Sequence, residues 1–245
     1  MVGIRVDIDT VRDARMLPTT LEILENHGIK ASFFVTTGLD ETYRNFRHYL
    51  NPMKLISGNN LSRYGFSMFS GLLTRKDVQS SKELNMILEH GHELGLHGYN
   101  HYEWMNHLDN KSREEISCWI SKGCELFEKA FGYYPECFAA PGFKTNAVFL
   151  DVLDGFGFKY SSDFMGVKPF YPDFNGIKLR TRQVPVSLAI GEHNDREALK
   201  LLREQLASGY AVFYFHPSFE PLFRKSLLEN ALCCISGAVP LGEQM

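Results

Sequence analysis

At 245 residues, with 44% hydrophobic and 22% charged residues, the chain has an ordinary globular composition and enough length for one large domain. A formal net charge of -3 and a pI near 6.3 give no global electrostatic reason to expect nucleic acid as a partner. Five cysteines without regular spacing, two of them adjacent at Cys233 and Cys234, argue against a disulfide framework, and the lack of a Cys-x-x-Cys pair argues against a structural zinc knuckle. With a strand beginning at Val2, no leader pattern and no apolar run long enough to span a bilayer, the expected location is cytoplasmic.

The chain opens on Val2-Gly-Ile-Arg-Val-Asp-Ile-Asp-Thr10, a buried-strand pattern that ends in two acids. Alternation puts Arg5, Asp7 and Asp9 on one face and Ile4, Val6 and Ile8 on the other. Two carboxylates leaving one strand side by side are costly to bury, so they call for a metal, Arg5 or a histidine from elsewhere. A helix from Pro18 to Asn26 follows, closed by Gly28, and Ile29–Val35 reads as a second strand, which makes a parallel βαβ unit.

The stretch at about 39–80 breaks this rhythm and is expected to be an insertion in a domain that otherwise runs over residues 1–245. Between Glu41 and Lys76 it carries six basic residues (Arg44, Arg47, Lys54, Arg63, Arg75, Lys76) against Glu41 alone, a local excess of five, interleaved with aromatics such as Tyr43, Phe46 and Tyr64. Basic residues mixed with aromatics suit an anionic membrane surface or a phosphate-bearing lipid. A helix packed on the barrel mouth with a solvated basic face is compatible with that use.

Regular order resumes with a helix over Ser81–His90, a strand over Glu93–Leu96, and a helix whose start at Ser112 has the capping-box pair Ser112/Glu115. Strands are expected over Cys137–Ala140, Phe158–Ser161, Gln183–Leu188 and Ala211–Phe215, with helices over Asn146–Leu153, Asp195–Ala207 and Leu227–Ile235 between or after them. A weak eighth strand falls near Ala238–Leu241. Seven or eight βα units point to a single-domain α/β protein built as a distorted (β/α)7-8 barrel.

In such barrels the chemistry gathers where strands end and loops begin. Here Asp7 and Asp9 follow the first strand, His97 the third, Asp163 the fifth and His216 the seventh. His97-Gly-Tyr-Asn-His101 spaces two imidazoles four apart, a spacing that on one helical turn brings both to one ion. With one acid from the first strand this makes an Asp/His/His set with a position left for water, and the second acid is then free to act as a base. His216 is placed to protonate a departing amine, Asp163 to orient the His216 ring, and the Pro141-Gly142-Phe143 turn to offer amides to a substrate oxygen.

These motifs resemble the polysaccharide deacetylase superfamily, carbohydrate esterase family 4 with its NodB-like domain, over nearly the whole chain. The resemblance implies that Asp7 is the catalytic base, that Asp9, His97 and His101 hold a divalent metal, zinc being the first choice, and that His216 is the acid. Val2–Thr10, Glu93-Leu-Gly-Leu-His97 with Trp104, Ser162-Asp163 and Ser62-Arg-Tyr-Gly65 are similar to the undecaprenyl-phosphate formamido-arabinose deformylase subgroup. That likeness implies an amino-sugar substrate carried on undecaprenyl phosphate, met at the inner face of the membrane.

The chain departs from the family at Ala139, where most members carry an arginine that pairs with the base. Arg5, on the strand face of Asp7, is the expected substitute, with Lys144 the other candidate. The activity expected is metal-dependent removal of an N-formyl or N-acetyl group from an amino sugar. Two alternatives share the fold: hydrolysis of a non-sugar cyclic amide, and non-catalytic binding of a carbohydrate or lipid headgroup.

Overall fold

Alternation along the strands divides the apolar residues between two cores, one inside a curled sheet and one between that sheet and its helices. The computed structural model describes residues 1–41, 44, 76–235 and 237–245. Its strands are β1 (Val2–Ile8), β2 (Ser32–Val35), β3 (Glu93–Leu96), β4 (Cys137–Phe138), β5 (Tyr160–Ser161), β6 (Asp173–Phe174), β7 (Ile177–Lys178), β8 (Arg182–Gln183), β9 (Leu188–Ala189) and β10 (Ala211–Phe215). Eight of them form one sheet in the order β8-β5-β4-β3-β2-β1-β10-β9, with every neighbouring pair parallel. The sheet curls into a half-barrel whose two ends, β8 and β9, are not paired with each other.

The outer core joins Ile4, Val6 and Ile8 of β1 to Phe33, Val35, Leu96, Phe138, Phe213 and Phe215 and to the helices. These helices are α1 (Val11–Arg15), α2 (Leu17–Asn26), α3 (Asn85–Glu89), α4 (His101–His107), α5 (Arg113–Phe131), α6 (Ala147–Asp154), α7 (Asp195–Ala207), α8 (Glu220–Phe223) and α9 (Lys225–Cys233). The inner core is smaller and holds Phe34, Cys137, Ala139, Tyr160, Val184, Val186, Val212, Tyr214 and Leu241. Arg5, Asp7 and Asp9 face this inner side, so polar chemistry is built into a lining that is otherwise apolar.

α5 begins as its sequence demands: the Ser112 hydroxyl accepts the Glu115 N–H, and Glu115 accepts the Ser112 N–H at 2.9 Å. It closes on Gly132, whose φ of 81° is left-handed. The helix expected over Ser81–His90 is shorter, one 3-10 turn at Lys82–Leu84 followed by α3.

Two expected strands are corrected. The span 183–188 is split into β8 and β9, because Pro185 lies between them and has no N–H for a ladder. The span 238–241 is no strand: Pro240 leads into a 3-10 turn at Leu241–Gln244, and the Leu241 N–H donates to Ser32 Oγ at 2.8 Å. Leu241 is thereby seated in the inner core, 2.5 Å from where a Cβ on Gly3 would stand. The sequence reading also passed over the β6–β7 hairpin, whose Asn175-Gly176 turn has both residues at positive φ (54° and 80°) and is a strong hairpin signal.

The insertion lies mostly outside the described residues; of its basic side chains, Arg44 pairs with Glu103 at 2.6 Å and lies over the Tyr102 ring. Its two ends are joined, however, by an antiparallel bridge between Leu39 and Asp77 and by an Asp40 N–H to Lys76 O bond of 3.0 Å. The insertion therefore leaves and rejoins the barrel at one place, just beyond the C-terminal end of β2.

Since Leu241 fills the inner core from below, Leu241→Ala should cost about 2–5 kcal/mol of unfolding free energy. Urea titration reads this directly, and a loss under about 0.5 kcal/mol would show that the C-terminal turn is not part of the core.

Candidate active site

The site grows from β1. Arg5 is fully buried, and its guanidinium grips Asp7 in a bidentate pair, Nε to Oδ1 at 2.6 Å and Nη2 to Oδ2 at 2.7 Å. Its remaining nitrogen, Nη1, donates to the Ser162 carbonyl oxygen. The Phe143 ring covers the guanidinium, with its centroid 4.6 Å from Arg5 Cζ. Burial alone would raise the Asp7 pKa, but the Arg5 charge, the nearby His97 and the Arg5 hydrogen bonds together outweigh it and hold the carboxyl below its ordinary value. Lys144, the other candidate cation, is bonded instead to Asp109.

Asp9, one alternation further along, has no such cation and faces three imidazoles. His97 leaves the end of β3, and its Nε2 stands 3.2 Å from Asp9 Oδ1. His101 is the first residue of α4, where the Asn100 side chain caps the helix by accepting the Glu103 N–H at 3.0 Å. Its Nε2 lies 3.4 Å from Asp9 Oδ2. Trp104, packed among Trp119, Phe138 and Phe149, locks α4 in place and with it His101. The two histidines thus meet from a strand end and a helix start, not from one helical turn as the spacing implied. Gly98, at a φ of 70°, makes the bend between them.

The donor atoms of Asp9, His97 and His101 lie within 4.8 Å of one another. His97 Nδ1 is 2.8 Å from the Ala139 carbonyl oxygen and so carries the ring proton, which leaves a lone pair on Nε2 facing a carboxylate oxygen. Two acceptors in that position need a cation between them. Asp9 Oδ1 is buried without a hydrogen-bond partner, and so is His101 Nδ1. Burial pushes the His101 pKa down, toward the neutral imidazole that a metal binds. The residues therefore fit a divalent ion.

His216, delivered by β10, places Nε2 3.2 Å from Asp9 Oδ2. Asp163 does not reach it. The Asp163 carboxylate accepts from the Ala140 N–H at 2.8 Å, from Ser161 Oγ at 2.5 Å and from Gln183 Nε2 at 2.9 Å, so it braces β4, β5 and β8 instead of orienting the His216 ring. Burial raises its pKa against the pull of these donors. In the Pro141-Gly142-Phe143 turn, Pro141 has no N–H and the Phe143 N–H donates to Ala140 O at 3.1 Å, so the expected oxyanion contact narrows to Gly142. Sequence reasoning missed Asp13 and Glu220, buried acids beside the His216 segment, although Thr10-x-x-Asp13 has capping-box spacing.

A family model described as polysaccharide deacetylase matches residues 2–161. The chain belongs to the polysaccharide deacetylase family. A Shewanella sediminis protein named a probable 4-deoxy-4-formamido-L-arabinose-phosphoundecaprenol deformylase is 30% identical to it over 94% of this chain and 80% of its own length. A Wigglesworthia glossinidia brevipalpis protein of the same name is 29% identical over 88% of this chain and 81% of its own length. The chitin deacetylase from Colletotrichum lindemuthianum shares the fold, with a TM-score of 0.57 at 16% identity, over 99% of this chain and 85% of its own. A polysaccharide deacetylase is a metal-dependent amide hydrolase, and the Asp9, His97 and His101 cluster is where this chain offers a metal site.

Because Arg5 neutralises a buried carboxylate, Arg5→Met should destabilise the fold by about 3–5 kcal/mol, and Arg5→Met combined with Asp7→Asn should regain much of that loss by removing the orphaned charge. Chemical denaturation of both variants checks it; equal losses in the two would mean that the pair contributes only packing.

Proposed function

We propose that this chain hydrolyses the N-acyl bond of an amino sugar, releasing formate or acetate, and that the sugar it meets is carried on a phosphate-linked lipid. The observation that carries the reading is the division of labour between neighbouring acids: Asp7 is neutralised by Arg5, whereas Asp9 lies among imidazoles with an oxygen left unbonded. The two bacterial relatives named above are deformylases of a sugar on phosphoundecaprenol by name, which supports the lipid-linked substrate.

A divalent ion held by Asp9, His97 and His101, zinc being the first choice for such ligands, would supply Lewis acidity at the acyl oxygen and acidify a nearby water. Asp7 is kept ionised by Arg5 and takes a proton from the attacking water as its oxygen bonds to the acyl carbon. His216 gives a proton from Nε2 to the sugar nitrogen as the C–N bond breaks, so that one water and one amide become one acid and one amine. We assign the Gly142 amide to the acyl oxygen; its backbone passes too close to Met105 to admit a side chain.

The basic, aromatic stretch from Glu41 to Lys76 is the part of the chain we assign to contact with an anionic membrane face, with the enzyme on the cytoplasmic side. No helix among the described residues is long and apolar enough to cross a membrane.

Incubation of zinc-loaded protein with N-formyl and N-acetyl amino sugars, with assay of formate and acetate, tests the reading. Asp7→Asn should retain its metal and lose roughly 10²- to 10⁴-fold in turnover, whereas Asp9→Asn should lose the metal itself. Release of neither acid by the wild-type protein, or full turnover by metal-replete Asp7→Asn, would contradict it.

A further inference from the structure

The turn that carries His216 runs His216-Pro217-Ser218-Phe219 into α8, and its amides have an unusual set of acceptors. Pro217 has no N–H, and the Phe219 N–H returns to His216 O at 3.0 Å. The other two go to buried acids. His216 N–H donates to Glu220 Oε2 at 2.8 Å, and Ser218 N–H donates to Asp13 Oδ1 at 3.1 Å. Asp13 is 2% exposed and Glu220 1%, and no lysine or arginine among the described residues pairs with either.

Asp13 does more than cap α1. Its second oxygen, Oδ2, accepts the Thr10 N–H at 3.0 Å and the Thr10 hydroxyl at 2.7 Å, and Thr10 directly follows Asp9. One carboxylate therefore binds the segment after Asp9 with one oxygen and the segment after His216 with the other. Asparagine could not do this, because it has a single acceptor oxygen and its amide nitrogen would face an N–H. Aspartate is the shortest side chain with acceptors on both sides, and an unpaired buried acid is otherwise a costly choice for a helix cap.

We propose that Asp13 is a positioning residue for His216, fixing the acid-bearing turn against the Asp9 segment so that the imidazole is aimed at the departing nitrogen. The inference rests on the amidase reading above, with His216 as proton donor. The tie acts over a short path, Asp9–Thr10 to Asp13 to Ser218–Pro217–His216, and accounts for the 3.2 Å between His216 Nε2 and Asp9 Oδ2. A misplacement of about 1 Å in a proton donor is enough to cost on the order of 10²-fold in rate.

The test is a double-mutant cycle on formate release from an N-formyl amino sugar, using zinc-loaded wild type, Asp13→Asn, His216→Ala and the double variant. Asp13→Asn should lower kcat about 10- to 100-fold with KM within about 3-fold and metal content unchanged. In the His216→Ala background the same substitution should change kcat by less than about 2-fold, because the group it positions is gone. A milder variant, Thr10→Val, removes one of the three donors to Asp13 and keeps the test open should Asp13→Asn fold poorly; it should lower kcat about 3-fold with the same loss of effect beside His216→Ala. Equal fold-losses in both backgrounds, a loss carried by KM, or a loss of metal would overturn the positioning role. A wild type that releases no acid would instead defeat the amidase reading, so the two failures are told apart.

Discussion

Everything at the mouth of this half-barrel depends on two carboxylates, Asp7 and Asp9, that share one strand face and are both buried. Like charges that close cannot be left to the protein interior without separate compensation. β1 compensates the first itself, because Arg5 is one alternation upstream and reaches back to Asp7 with two parallel hydrogen bonds. Asp9 receives no guanidinium, and the chain instead gathers His97, His101 and His216 around it. In the proposed mechanism, the difference between a base and a ligand arises from which partner each acid meets.

The rest of the fold reads as support for that difference. β1 sits between β2 and β10, so the segments bearing Asp9 and His216 end side by side, and β3, beyond β2, brings His97 to the same rim. The Ala139 carbonyl fixes the His97 tautomer. Phe143, held at a positive φ of 56°, lays its ring on Arg5. A non-glycine residue in that region is strained, and here the aromatic contact and the turn around Gly142 hold it there.

Much of this was legible in the sequence, for physical reasons. Alternation along Val2–Ile8 sets Arg5 and Asp7 on one face, and that suffices to expect their pairing. Strand ends followed by His97 and His216 mark the rim, and Ser112/Glu115 marks the start of α5. What could not be read was partner choice at a distance. Asp163 looked like a support for His216 because it follows a strand, yet its bonds go to Ala140, Ser161 and Gln183, whose positions only the packed sheet defines. The i,i+4 spacing of His97 and His101 suggested a helical turn where Gly98 and the Asn100 cap make a loop. The capping-box spacing that marks α5 recurs at Thr10 and Asp13, but the spacing alone does not show that Asp13 also joins the Asp9 and His216 segments.

The central claim is that Asp9, and not Asp7, shares an ion with His97 and His101 while Asp7 stays on Arg5. Anomalous diffraction from zinc-loaded crystals measures this most directly. The account predicts one zinc with a carboxylate oxygen of Asp9 and an imidazole nitrogen from each of His97 and His101 at about 2.0–2.2 Å, and Asp7 outside that shell and still paired with the guanidinium. Zinc bound by Asp7, or an Arg5–Asp7 pair broken on metal binding, would contradict it.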